Sequence, residues 1–155
     1  MIPIQQIHPL VVHFPIVFFL SLTALDLYAR LKNVPIDGRG AIANLSAGLA
    51  VLAGITAIIA FIFGDMALEF AVAAGASESL TEMHETLGST TAVLLAIWGT
   101  IRAFAWYRKI ALDTTKTSVI VVIELLLTAL IITTAYYGGQ LVYDFGINVT
   151  LPTGG

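Results

Sequence analysis

Six residues of this 155-residue chain are chemically out of keeping with their surroundings. Three are its only histidines, His8, His13 and His84. Two of these sit with two prolines in "HPLVVHFPIVFF", at the mouth of a long apolar run, and the third opens another apolar run in "EMHETLG". Neutral imidazole is the commonest metal ligand, so histidines at the mouths of apolar segments point to a metal or haem. The other three residues, Asp26, Arg102 and Glu124, are charged groups inside apolar stretches. Ionisable groups there are costly, face inward and pair with one another.

Other chemistries find no support. The chain has no cysteine, which removes disulfides, thiolate metal sites and cysteine nucleophiles. Its net charge is −3 and no basic run is present, so nothing would follow a phosphate backbone and nucleic-acid binding is set aside. No acid/base pair, nucleophile or phosphate-binding loop appears, and an electron carrier or binding protein is expected rather than an enzyme.

The residues that must position these groups are strongly apolar. The chain is 58% hydrophobic and 11% charged, whereas a soluble domain carries about 25% charged residues. Four stretches reach the ~20 residues that cross a bilayer: Pro9–Leu31, Ala41–Phe63, Leu80–Tyr107 and Ser118–Tyr137. Lipid leaves no partner for an open strand's backbone, so all four are helices. The first lacks a basic leading region and is too long for a cleaved signal peptide. Short connections predict an antiparallel up-down four-helix transmembrane bundle in one domain. A short interfacial helix is expected at about 66–74, stopped by Gly75, and the Gly138-Gly139 pair is expected to end the fourth span.

All seven basic residues lie at or near the ends that face the first and third loops. The positive-inside rule then puts both termini, and all three histidines, outside the cytoplasm of a bacterial inner membrane. Tyr136, Tyr137 and Tyr143 fit the outer aromatic belt, and Trp106 and Tyr107 the inner one. The outer face is acidic, with Asp65, Glu69, Glu78, Glu82, Glu85 and Asp144. That face could steer a basic periplasmic electron carrier. In the second span Ser46, Ala50, Ala53, Ala57, Ala60 and Gly64 form a heptad stripe of small residues, which permits close helix approach and is read as core.

Pro9 suits a first helical turn, and His13 lies about 6 Å further along. Ser79 and Glu82 form an S-x-x-E capping box, which starts the third span at Leu80 and puts His84 at the same depth. Pro15 loosens the turn near Val11. Diagonal helices of a bundle are roughly 12–14 Å apart, a span that suits a haem better than a bare zinc ion, which wants four close ligands. His13 and His84 are therefore the expected axial ligands of one haem b, with Gly88 making room for the ring. His8, about 140° round the helix from His13, is expected as a hydrogen-bond partner or cap. The outer face has no Lys or Arg, so haem propionates would meet backbone N–H groups, tyrosine, Gln140 or water. Two readings stand beside this one. A small transporter or channel would use Asp26, Arg102 and Glu124; a cofactor-free subunit would pack against a larger redox complex. For those charged residues, the plainer account is an Arg102–Glu124 salt bridge with Asp26–Arg30 as an i, i+4 pair.

"IHPLVVHFPIVF", the histidine of "EMHETLG" and "YYGGQLVYDFGINV" together resemble the bacterial membrane family called domain of unknown function 2231, over nearly the whole chain. The resemblance implies a four-span inner-membrane protein of a family sometimes fused to Rieske or cytochrome-like modules. It implies electron transfer, with His13 and His84 as ligands by similarity to b-type cytochromes. The partners expected are the bilayer, a periplasmic electron carrier or redox subunit, and a second copy of the chain. By the same resemblance "LVYDFGINV" would return along the outer interface.

Overall fold

A computed structural model describes residues 6–73, 75 and 77–146. Five helices account for most of them: α1 (Ile7–Val11), α2 (His13–Lys32), α3 (Ala41–Ala73), α4 (Glu78–Tyr107) and α5 (Thr114–Tyr143). Helices α1 and α2 make one apolar rod interrupted at Val12, so four rods are long and apolar enough to span a membrane. The interruption falls where Pro15 has no N–H to give the Val11 carbonyl one turn back. No strand occurs among the described residues.

Helices α2 and α4 each pack against α3 and α5, and the two pairs α2/α4 and α3/α5 face each other across the diagonals. This is the up-down bundle expected from the short connections. Each rod buries one heptad stripe. On the first it runs His8, Val12, Pro15, Phe19, Leu22, Asp26 and Ala29, and from Pro15 onward these are buried. On α4 it runs Thr81, His84, Gly88, Thr91, Leu95, Trp98 and Arg102. The small-residue stripe of α3 is core as expected, with Ser46, Ala50, Ala53, Ala57 and Ala60 all buried. It lets α4 come close: a Cβ on Gly99 would stand 2.7 Å from the Ala50 carbonyl oxygen, and one on Gly54 3.0 Å from that of Leu95. The outside is greasy, with Leu10, Val17, Ile55, Ile62, Val93 and Leu126 exposed, as lipid-facing positions require.

Several local expectations are corrected. The stretch at 66–74 is no separate helix. Nothing between Gly64 and Ala73 breaks the helix, and α3 continues to Ala73; Gly75 stands at φ +90°. At 33 residues α3 is about 50 Å long, well beyond a hydrocarbon core of about 30 Å. Helix α4 starts at Glu78 with Ser77 as N-cap, so Ser79 already lies inside the helix and Leu80 is not its first residue. Helix α5 runs through Gly138 and Gly139 to Tyr143. Of the segment expected to return along the interface, 147–149 lie outside the described residues.

The two ends of the bundle differ. Arg30, Lys32, Arg39, Arg108, Lys109 and Lys116 flank the loops at one end. There the Arg39 guanidinium stacks 3.6 Å above the Trp106 ring, whose Nε1 donates to Asn44 Oδ1 at 2.8 Å. Asp37 Oδ2 ties the loops together by accepting from the Leu112 amide at 2.9 Å. The histidines occupy the other end.

Candidate functional site

At the histidine end a cavity of about 470 Å³ opens between the helices, and His8, His13, His84 and Gly88 are among its lining residues. Its walls are mainly aliphatic, from Ile16, Ala57, Leu95 and Ile131 among others. That is within the range of small-molecule and cofactor pockets, about 300–1,000 Å³.

The ring that faces His84 across this cavity is that of His8. Their centres are 6.3 Å apart and their planes stand at 77°. His13 lines the same cavity but is exposed to the outside. The expectation that His13 would partner His84, with His8 a hydrogen-bond partner or cap nearer the surface, is corrected as to which ring meets His84. The physical reason is the heptad: His8 continues the buried stripe through Val12 and Pro15, whereas His13 is one position past Val12 and turned about 100° off it. That stripe, carried back from Ala29 through Asp26, was the sequence signal that picks out His8.

Both imidazoles are seated by the same device. His8 Nδ1 lies 2.9 Å from the Ala60 carbonyl oxygen, and His84 Nδ1 lies 3.2 Å from that of Thr134. A carbonyl only accepts, so Nδ1 carries the proton in both rings and Nε2 keeps its lone pair. Four residues after each carbonyl comes a glycine, Gly64 or Gly138. A Cβ on Gly64 would stand 3.0 Å from His8 Cε1 and Nδ1; one on Gly138 would stand 2.8 Å from His84 Cε1. Each glycine leaves the ring room to reach a helical carbonyl that a side chain would cover. A histidine that ligates a metal characteristically gives its other N–H to a carbonyl or carboxylate in this way.

Of the remaining expected site residues, Gly88 borders the cavity with no atom within 4 Å of where its Cβ would stand. Gln140 does not line it; its amide nitrogen donates to the Tyr136 hydroxyl at 3.2 Å. Among the described residues no group of three or more His, Asp or Glu side chains is placed to hold a metal ion.

The intramembrane charges meet at the far end of the same stripes. Asp26 comes eighteen residues after His8, and Arg102 eighteen after His84, which is five helical turns or about 27 Å. Arg102 Nη1 contacts Asp26 Oδ2 and Glu124 Oε1, both at 2.6 Å. Its Nη2 donates to Ser46 Oγ, and Ser46 donates to Asp26 Oδ2 at 3.0 Å. Trp98 Nε1 donates to Glu124 Oε1 at 3.2 Å. One guanidinium thus joins all four rods. The Arg102–Glu124 bridge is as expected, but the Asp26–Arg30 pair is not formed. Asp26 turns inward to Arg102, while Arg30 Nε donates to Ser118 Oγ at 2.6 Å.

Four rods apolar enough to span a membrane agree with the family comparison, in which the model for "Predicted membrane protein (DUF2231)" matches residues 5–151. The chain belongs to the DUF2231 family. The match takes in every helix described above, so the histidine cavity and the buried ion pair both lie in a DUF2231 domain. No curated protein and no solved structure matches the chain.

Proposed function

We propose that this DUF2231 protein binds one haem b between His8 and His84 and transfers electrons at the outer face of the bacterial inner membrane. The observation that carries the reading is the separation of those two rings. An imidazole nitrogen sits about 2.0–2.1 Å from a metal ion and about 1.1 Å from its own ring centre, so two imidazoles on opposite sides of one ion have centres about 6.3 Å apart. The separation here is 6.3 Å. Two side-chain nitrogens are too few for a bare zinc ion, which wants about four ligands, but they complete the coordination of an iron whose other four come from a porphyrin. Haems held between the helices of a bundle by axial histidines are a recurrent solution.

The surroundings support the same occupant. The cavity is large and aliphatic, both Nδ1 protons are engaged with carbonyls, and Gly88 leaves open space on the wall. When bound, haem iron supplies a one-electron couple, and the apolar walls keep it apart from bulk water. The chain's part is to fix the two rings and their tautomers. The basic residues clustered at the opposite end support a topology with both termini and the cavity outside the cytoplasm. The acidic residues Asp65 and Glu85, which line the cavity, suit a basic soluble electron carrier.

Optical spectra of the purified protein, oxidised and dithionite-reduced, test the proposal. A Soret band and reduced α and β bands typical of low-spin bis-imidazole iron are expected. Their absence after expression with haem supplementation would remove it.

A further inference from the structure

The buried ion pair has more negative charge than its geometry uses. Asp26 and Glu124 are both fully buried, with relative exposures of 0%. Every donor that reaches them ends on one oxygen of each: Arg102 and Ser46 on Asp26 Oδ2, Arg102 and Trp98 on Glu124 Oε1. The other two oxygens, Asp26 Oδ1 and Glu124 Oε2, are buried and receive no hydrogen bond. With both carboxyls ionised, one guanidinium faces two negative charges and two acceptors stay orphaned in an apolar bundle, a costly arrangement.

We infer that Asp26 and Glu124 form a proton-binding site, holding one proton on one of the two orphaned oxygens, Asp26 Oδ1 or Glu124 Oε2, filled from the basic end of the bundle. Both carboxyls bind one nitrogen of Arg102, each at 2.6 Å, so the two groups are close neighbours. One proton there leaves a single negative charge and brings the cluster to neutrality against Arg102. The groups facing the pair come from every rod: Asp26 from α2, Ser46 from α3, Trp98 and Arg102 from α4, and Glu124 from α5. The neighbouring cation on α2, Arg30, is held by Ser118.

A route to water is built beside the cluster. A void of about 10 Å³ borders Arg102 and is walled by Asp37, Ala105 and Trp106 near the basic-end loops, and a space of about that size admits one water. On the histidine side the cluster is shut off by a packed layer of Phe19, Leu22, Ala53, Leu95 and Ile131. The proton site is thus separated from the histidine cavity and faces the opposite surface, whatever that cavity binds.

Infrared spectroscopy of the full chain in lipid vesicles, with ordinary and heavy water, tests the inference. At neutral pH the wild type is expected to give one protonated-carboxyl C=O band from the membrane interior that shifts in heavy water. Glu124→Gln and Asp26→Asn, which imitate a protonated carboxyl in shape, are each expected to abolish it while the protein stays helical. Loss in only one variant still supports the site and assigns the proton to that residue. No such band in the wild type, or a band that survives both substitutions, overturns it. Filling the void with Ala105→Met is expected to slow the heavy-water shift several-fold, and an unchanged rate overturns entry by that route.

Discussion

The imidazole of His8 stands nearly perpendicular to that of His84 with 6.3 Å between ring centres, although 76 positions separate them in the chain. Each ring is pinned through Nδ1 to a carbonyl of a different helix, His8 to α3 and His84 to α5. The pair is therefore fixed by the packing of all the rods, and both rings line one cavity.

If that pair holds haem, the three histidines will separate cleanly by mutation. His8→Ala and His84→Ala are each expected to abolish the low-spin spectrum of the purified protein. His13→Ala is expected to retain it, because His13 stands on the exposed side of the rod. A spectrum lost with His13→Ala and kept with His8→Ala would reverse the ligand assignment.

The glycine seats make a finer prediction. Gly138→Ala puts a methyl 2.8 Å from His84 Cε1, and Gly64→Ala puts one 3.0 Å from His8 Cε1, so each ring must leave its carbonyl. Loss of such an outer partner typically lowers affinity about 10–100-fold, and haem titration of the apoprotein is expected to read a drop of that order. Gly88→Ala, with nothing within 4 Å, is the control and should titrate like the wild type.

Packing between α3 and α4 depends on Gly99. A methyl there meets the backbone oxygen of Ala50 at 2.7 Å, an atom that moves only if the helices part. Overpacking of this kind costs about 1–3 kcal/mol, to be read as a lowered unfolding midpoint in mixed detergent. Gly48→Ala, which meets nothing within 4 Å, is expected to be neutral or to gain up to about 1 kcal/mol from helix propensity.

Removing the shared cation should be far more damaging than neutralising one carboxyl. Arg102→Met leaves Asp26 and Glu124 buried without their cation, and breaking a buried pair from one side costs about 3–5 kcal/mol. Glu124→Gln keeps an acceptor for Arg102 and Trp98 and is expected to cost much less in the same unfolding assay. Equal losses in the two variants would contradict the hydrogen-bond scheme.

Outside the membrane, Asp113 caps α5 by accepting from the Lys116 backbone N–H at 2.9 Å. That bond, together with the Lys116 charge, holds the exposed carboxyl below its usual value. A depressed folded-state pKa means that the cap's contribution is complete above the unfolded value and disappears as pH falls through the folded one. Amide resonances of Thr115 and Lys116 should report a midpoint below that of a free aspartate, with the first turn of α5 fraying at more acidic pH. Asp113→Asn should remove the pH dependence.

Much of the architecture is legible in the sequence because the bilayer permits so little else. Length and apolarity give the four rods, the short connections give their antiparallel order, and the small-residue stripe from Ser46 to Gly64 gives the face of α3 that is buried. The inward seam from His84 to Arg102 was readable as well. Local rules misled where a residue has a second use. Gly138 reads as a helix stop but sits mid-helix to seat His84, and Asp26 reads as a neighbour's partner for Arg30 but belongs to Arg102.

The sequence by itself determined that the histidines share one end of the bundle and that the charges share its interior, since both follow from period, span and charge distribution along single helices. Only the tertiary structure decided that His8 meets His84 and that one guanidinium serves two carboxyls. Those are contacts between different rods, and their geometry depends on how closely the backbones pack, which glycines at Gly54, Gly64, Gly99 and Gly138 allow and no single helix's periodicity reveals.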